Sequence, residues 1–73
     1  MDMHVATYSA RALARNVRAA RLASGMTKSD FALTLGISRV LLDLIEEGKS
    51  NVKLSTLDQI AERLEMDPWE LIR

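Results

Sequence analysis

The sequence predicts an all-α fold, a compact five-helix bundle, and three observations lead there. Apolar residues recur at three- and four-residue spacing through most of the chain, the period of one face of a helix. A residue suited to start a helix (Thr27, Ser38, Ser55, Asp67) stands ahead of four of these runs, and glycines close three (Gly25, Gly36, Gly48). No segment shows the two-residue alternation of a strand.

Taken in order, the first helix is expected from about Ser9 to Ser24. Leu13, Val17 and Ala20 form its inward stripe, and Arg11, Arg15 and Arg18 share a face turned away from it. Gly25 ends it as a left-handed cap. Thr27 opens a short second helix carrying Phe31, Ala32 and Leu35, which Gly36 closes. Ser38 caps a third helix with Leu42 and Ile45 facing inward, ending at Gly48. A loop from Lys49 to Leu54 leads to a fourth helix, capped by Ser55, with Leu57, Ile60, Ala61 and Leu64 on its apolar side. Asp67-Pro68 reads as the opening of a last short helix, since proline at the first helical position forfeits no hydrogen bond.

Composition bounds the function. Seventy-three residues make one domain, close to the smallest that folds without staples. No cysteine is present, which removes disulfides and thiolate metal sites and suits a reducing compartment. At 48% hydrophobic residues the chain can build a core, yet no apolar run approaches a membrane span. Residues Met1 to Ser9 lack the pattern of a secretory signal, so a cytoplasmic protein is expected. Net charge is zero, but residues 1–30 carry five bases against two acids and residues 31–73 five bases against eight acids. That asymmetry fits a basic edge facing phosphate with an acidic back, and equally fits ordinary solvated helix faces.

The stretch Lys28 to Ile45 is the most informative. Two short helices joined by two or three residues must cross steeply and closely. Small Ala32 suits the crossing, and Gly36 suits a reversal with positive φ. Phe31, Leu35, Ile37, Leu42 and Ile45 fill the inside of that corner.

From about Leu13 to Ile72 the chain resembles the helix-turn-helix family of the lambda repressor and Cro, also called the Xre family. The residues that carry the resemblance are Val17-Arg18-Ala19-Ala20-Arg21, Gly25-Met26-Thr27, Phe31-Ala32, Leu35-Gly36-Ile37-Ser38 and Ile45-Glu46-Glu47-Gly48-Lys49. Leu54-Ser55-Thr56-Leu57, Ile60-Ala61, Leu64 and Asp67-Pro68-Trp69-Glu70-Leu71 complete it. The resemblance implies a lambda-repressor-like bundle whose third helix, residues 38–46, enters the major groove of double-stranded DNA while the second crosses the backbone. It also implies a salt bridge between Arg21 and Glu46, pinning the third helix to the first.

Matched to the family, Ser38, Arg39, Val40 and Leu44 are the base readers. Arg39 can bond bidentately to guanine, and Val40 and Leu44 can lie against thymine methyl groups. Lys28, where the family usually shows glutamine, is the leading phosphate contact, with Lys49, Asn51 and Lys53 in the following loop as further candidates. The expected function is a transcriptional regulator, a repressor, working as a homodimer on two-fold related half-sites. The chain departs from the family in its aliphatic Val40, Leu41 and Leu44, and in Asp43, which phosphates repel. Three exposed aliphatics on one helix can mark a protein partner, such as a toxin or a repressor bound by an antitoxin or anti-repressor. Alternatively Leu41 tucks against a neighbouring helix and the DNA-facing role is intact.

Residues 1–8 are expected to be a partly disordered tail and 9–73 the folded domain. His4 lies in that tail and is not expected to bind metal or act in catalysis. Tyr8 is expected to pack at the start of the first helix, and Met26 and Met66 to fill core space. Leu22 is either a lone surface leucine or part of an interface. Trp69 is expected to anchor the last turn, with a dimer contact through Trp69, Ile72 and neighbouring positions of the fourth helix as the alternative. No nucleophile–base set, phosphate loop or metal-ligand cluster is present, so neither enzymatic activity nor a cofactor is expected.

Overall fold

The computed structural model describes residues 7–73, so Met1, Met3, His4 and most of the expected tail lie outside the described residues. Among the described residues five helices follow one another: α1 (Tyr8–Ser24), α2 (Lys28–Leu35), α3 (Arg39–Glu46), α4 (Leu54–Leu64) and α5 (Pro68–Leu71). The fold is all-α, with no strand among the described residues.

Local chemistry accounts for most helix boundaries. Three helices open on a hydroxyl that accepts the amide three residues on: Thr7 from Ala10 at 3.0 Å, Thr27 from Asp30 at 3.1 Å and Ser38 from Leu41 at 3.0 Å. Thr7 thus starts α1 at Tyr8, one residue earlier than the apolar spacing suggests. Helix α4 corrects a second expectation: its cap is Lys53, which supplies no capping side chain, and Ser55 lies inside the helix. The moved start leaves the inward stripe unchanged, because spacing rather than the cap sets which face is apolar. At α5, Asp67 precedes Pro68, and the Asp67 amide donates to Glu70 Oε1 at 3.0 Å.

The core gathers one side chain or more from every helix: Leu13 and Val17 of α1, Phe31, Ala32 and Leu35 of α2, Leu42 and Ile45 of α3, Leu57, Ile60 and Ala61 of α4, and Leu71 of α5. Ile37, Leu41, Leu64 and Met66 pack against it partly buried. Three residues stand differently from expectation. Trp69 is 54% exposed while Leu71 is fully buried, so the leucine anchors the last turn. At 100° per residue the two side chains lie about 200° apart around α5, and a single turn can bury only one of them. Tyr8 is likewise exposed at the start of α1. Met26 sits in the α1–α2 connection, outside the core, its sulfur accepting from the Thr34 hydroxyl at 3.6 Å.

Two long-range polar clamps set the geometry of the bundle. Gln59 Nε2 of α4 donates to the carbonyls of Leu35 at 2.8 Å and Gly36 at 3.0 Å, and Arg63 donates to Thr34 at 2.8 Å. These side chains satisfy carbonyls that the end of α2 leaves unpaired and fasten the turn before α3. Asn16 of α1 donates to the carbonyls of Leu71 at 2.9 Å and Glu70 at 3.1 Å, holding α5 against the first helix.

Candidate nucleic-acid interface

Helix α3 presents a divided surface. Leu42 and Ile45 are fully buried, and about half a turn of rotation away Arg39, Val40 and Leu44 are exposed, with Asp43 between them part-buried. Val40 is 68% and Leu44 39% exposed, whereas Leu41 packs partly buried against the core. The apolar part of this face is therefore two residues wide rather than three. Ser38 is exposed at the entrance of the helix, its hydroxyl oxygen engaged as the cap and its O–H left free to donate.

The electrostatics of the face centre on Asp43. Its Oδ1 lies 3.2 Å from Lys28 Nζ and 3.4 Å from Arg39 Nε, so one carboxylate oxygen serves both cations. Arg39 Nη1 also approaches Ser29 Oγ at 3.4 Å. The hydrogen bond from Lys28, with the nearby Arg39 charge, holds the Asp43 carboxyl below its usual range. The acid expected to repel phosphate is thus matched by two bases, and the cluster as a whole is positive.

A second ion pair fixes α3 to the scaffold. Arg21 of α1 grips Glu46 through two hydrogen bonds, Nε to Oε2 at 2.7 Å and Nη2 to Oε1 at 2.8 Å. Arg18 adds a bond to the Glu46 carbonyl at 3.1 Å. Glu46 is the one charged residue buried among the described residues, and the Arg21 hydrogen bond lowers its carboxyl pKa against the opposing effect of burial. The same bond raises the Arg21 pKa. Planar, bidentate pairing suits a partly desolvated site, because both carboxylate oxygens are satisfied.

Lys49, Asn51 and Lys53 are all exposed along the loop after α3. Lys49 is tied to that helix by its amide, which donates to the Leu44 carbonyl at 2.9 Å, and its ammonium lies 3.7 Å from Glu47. Sequence reasoning missed Arg18, Asn16, Gln59 and Arg63 as positioning residues. Nothing local marks them, since each acts on a backbone carbonyl 24 to 55 residues away. Leu22 is exposed and lines a shallow surface pocket of about 370 Å³ with Arg15, Arg18 and Glu46. Among the described residues no cluster of acids, histidines or cysteines could hold a metal ion, and no helix is long and apolar enough to cross a membrane.

Two short helices crossing at a glycine turn, the second with an exposed face and held to the bundle by a partly buried ion pair, define a helix-turn-helix protein. The chain belongs to the HTH_3 helix-turn-helix family, which it matches over residues 17–70. Solved structures to which it is similar include the following three. The hypothetical transcription factor NHTF of Neisseria is 25% identical with a TM-score of 0.79, over 89% of this chain and 75% of that one. An HTH_3 family transcriptional regulator of Vibrio cholerae is 27% identical with a TM-score of 0.75, over 86% of this chain and 35% of that one. The restriction-modification controller protein C.AhdI of Aeromonas hydrophila is 28% identical with a TM-score of 0.73, over 88% of this chain and 94% of that one. No curated protein sequence matches the chain.

Proposed function

We propose that this chain is a sequence-specific, DNA-binding transcriptional regulator, a repressor, that reads the major groove with α3. The observation that carries the proposal is the exposed face of α3, with Arg39 outward on a helix whose other side is locked into the core and to Arg21. Family membership and the three regulators of like fold support the same reading. Ser38, Arg39, Val40 and Leu44 meet base edges: Arg39 selects guanine, and the two aliphatics select thymine methyl groups. Lys28, Lys49, Asn51 and Lys53 contact phosphates and set register. The protein acts as a homodimer on half-sites about one helical turn, ~34 Å, apart, at the nucleoid in the cytoplasm. Exposed Leu54 and partly buried Ile72, which line one surface pocket, and exposed Trp69 supply apolar area for the dimer.

Binding to the protein's own promoter region, measured against random duplex as salt is raised, tests this. A specific binder prefers the promoter and weakens steeply with salt. Equal binding to both duplexes rejects the reading. Within it, Arg39→Ala should flatten sequence preference, costing about 1–3 kcal/mol at one base pair, while Lys28→Ala should weaken all sequences alike.

A second reading, a protein-interaction module such as an antitoxin or anti-repressor, is favoured by one observation: Val40 and Leu44 are adjacent, exposed and apolar. Leu44→Glu separates the two. It abolishes capture of a toxin or repressor partner if the face binds protein, and leaves such capture unchanged if it does not.

A further inference from the structure

The contacts of Asp43 carry an inference beyond DNA binding as such, although it rests on that reading of α3. We propose that Asp43 is a specificity-determining residue that acts through Arg39, lowering general affinity for DNA in exchange for discrimination between sequences.

The argument begins with the shape of the guanidinium. Arginine has five N–H donors in a planar fork, and Nε points to one side of the pair on Nη1 and Nη2. Asp43 Oδ1 takes the Nε side at 3.4 Å. The Nη edge, which can span guanine O6 and N7, is left free of the carboxylate, with only Nη1 near Ser29. Arg39 and Asp43 stand one helical turn apart on the same face, so the pair forms without distorting α3. Lys28 reaches the same oxygen from α2 at 3.2 Å, which holds the carboxylate from a second element. A carboxylate fixed from two sides is a firmer buttress than one on a mobile side chain. Ser29 Oγ, 3.4 Å from Arg39 Nη1, limits the arginine on its other side.

The same charges explain the loss of general affinity. Lys28, Arg39 and Asp43 together carry one net positive charge where the two bases alone would carry two. Fewer condensed counterions are released on binding any duplex, so the sequence-independent part of affinity is smaller. An arginine biased to one orientation, in contrast, loses less rotamer freedom on meeting guanine and swings less readily to a phosphate when guanine is absent. Asp43 raises the ratio of specific to non-specific binding from both directions.

The test uses the full chain and a randomised duplex library, from which the preferred duplex is selected and then compared with a scrambled duplex of equal length. For Asp43→Asn, nearly isosteric and at a part-buried position, the scrambled duplex should bind several-fold more tightly. The salt dependence should steepen by about one unit of slope. The ratio of preferred to scrambled binding should fall roughly tenfold, within the range that one bidentate guanine contact supplies. In an Arg39→Ala background the effect of Asp43→Asn on the ratio should vanish, which a merely structural role for Asp43 would not produce. Thermal unfolding of each variant confirms that the fold is kept. A ratio unmoved by Asp43→Asn, or an equal loss on both duplexes, overturns the proposal while DNA reading by α3 stands. If the unaltered chain enriches no sequence at all, DNA reading by α3 fails and this proposal falls with it.

Discussion

Gly36 and Glu65 make the same backbone turn with different side chains. Both end a helix with positive φ, 74° at Gly36 and 58° at Glu65, and both are followed by an amide that bonds back five residues. A side chain in this region costs about 1–2 kcal/mol. At Gly36 an added Cβ would also stand 2.7 Å from Gln59 Nε2, displacing the donor that satisfies Leu35 and Gly36. Gly36→Ala is therefore expected to destabilise the domain by about 2 kcal/mol, the sum of backbone strain and a weakened clamp. Glu65→Gly should do the reverse, with a gain of up to about 1 kcal/mol. For a domain of this size each kcal/mol moves the melting temperature by roughly 4–8 °C, so calorimetry on the two variants resolves both signs. Glycine at position 65 lowering the melting temperature would contradict this account of the α4 terminus.

Helices α3 and α5 depend on side chains that belong to other helices. An eight-residue helix is far below the length that is stable alone, and the four residues of α5 are not a helix at all without support. Support reaches α3 from Arg21 and Arg18 of α1 and, through the preceding turn, from Gln59 and Arg63 of α4. It reaches α5 from Asn16 and from burial of Leu71. Asn16→Ala leaves the carbonyls of Glu70 and Leu71 without their donor and should cost about 1–2 kcal/mol, with α5 the first element to open. Amide exchange reads this directly: protection near Leu71 should fall more than protection in α2. A uniform fall across all helices would show that α5 opens only with the whole domain.

Stability of the whole molecule should depend on pH through the Arg21–Glu46 pair. The folded Glu46 carboxyl titrates below its usual range, chiefly because Arg21 bonds to it. A carboxyl lowered on folding contributes fully above its unfolded value, about 4.3, and that contribution disappears as pH falls through the lower folded value. Asp43 acts in the same direction. Glu46→Gln should lose about 2–3 kcal/mol at neutral pH, because Arg21 keeps only a neutral partner. The difference from the unaltered chain should narrow on acidification below about pH 4. Denaturant unfolding across a pH series measures it, and a gap that is constant with pH would dismiss the ion pair as its source.

Much of this architecture is legible along the chain. Thr27 and Ser38 cap their helices through a hydroxyl and an amide three residues on, and Gly25, Gly36 and Gly48 each take positive φ at a helix end. The inward stripes of α1 to α4 follow from periodicity alone, because burial repeats with the turn of the helix. Interactions that span only a few residues can be read this way, since the geometry is set by the backbone itself. The pairing of Asp43 with Lys28, the clamps made by Gln59, Arg63 and Asn16, and the choice of Leu71 over Trp69 as anchor were decided only when the helices packed. Each of these depends on where a second element lies in space. A charge or an amide on a helix surface carries no local sign of which distant group it will meet.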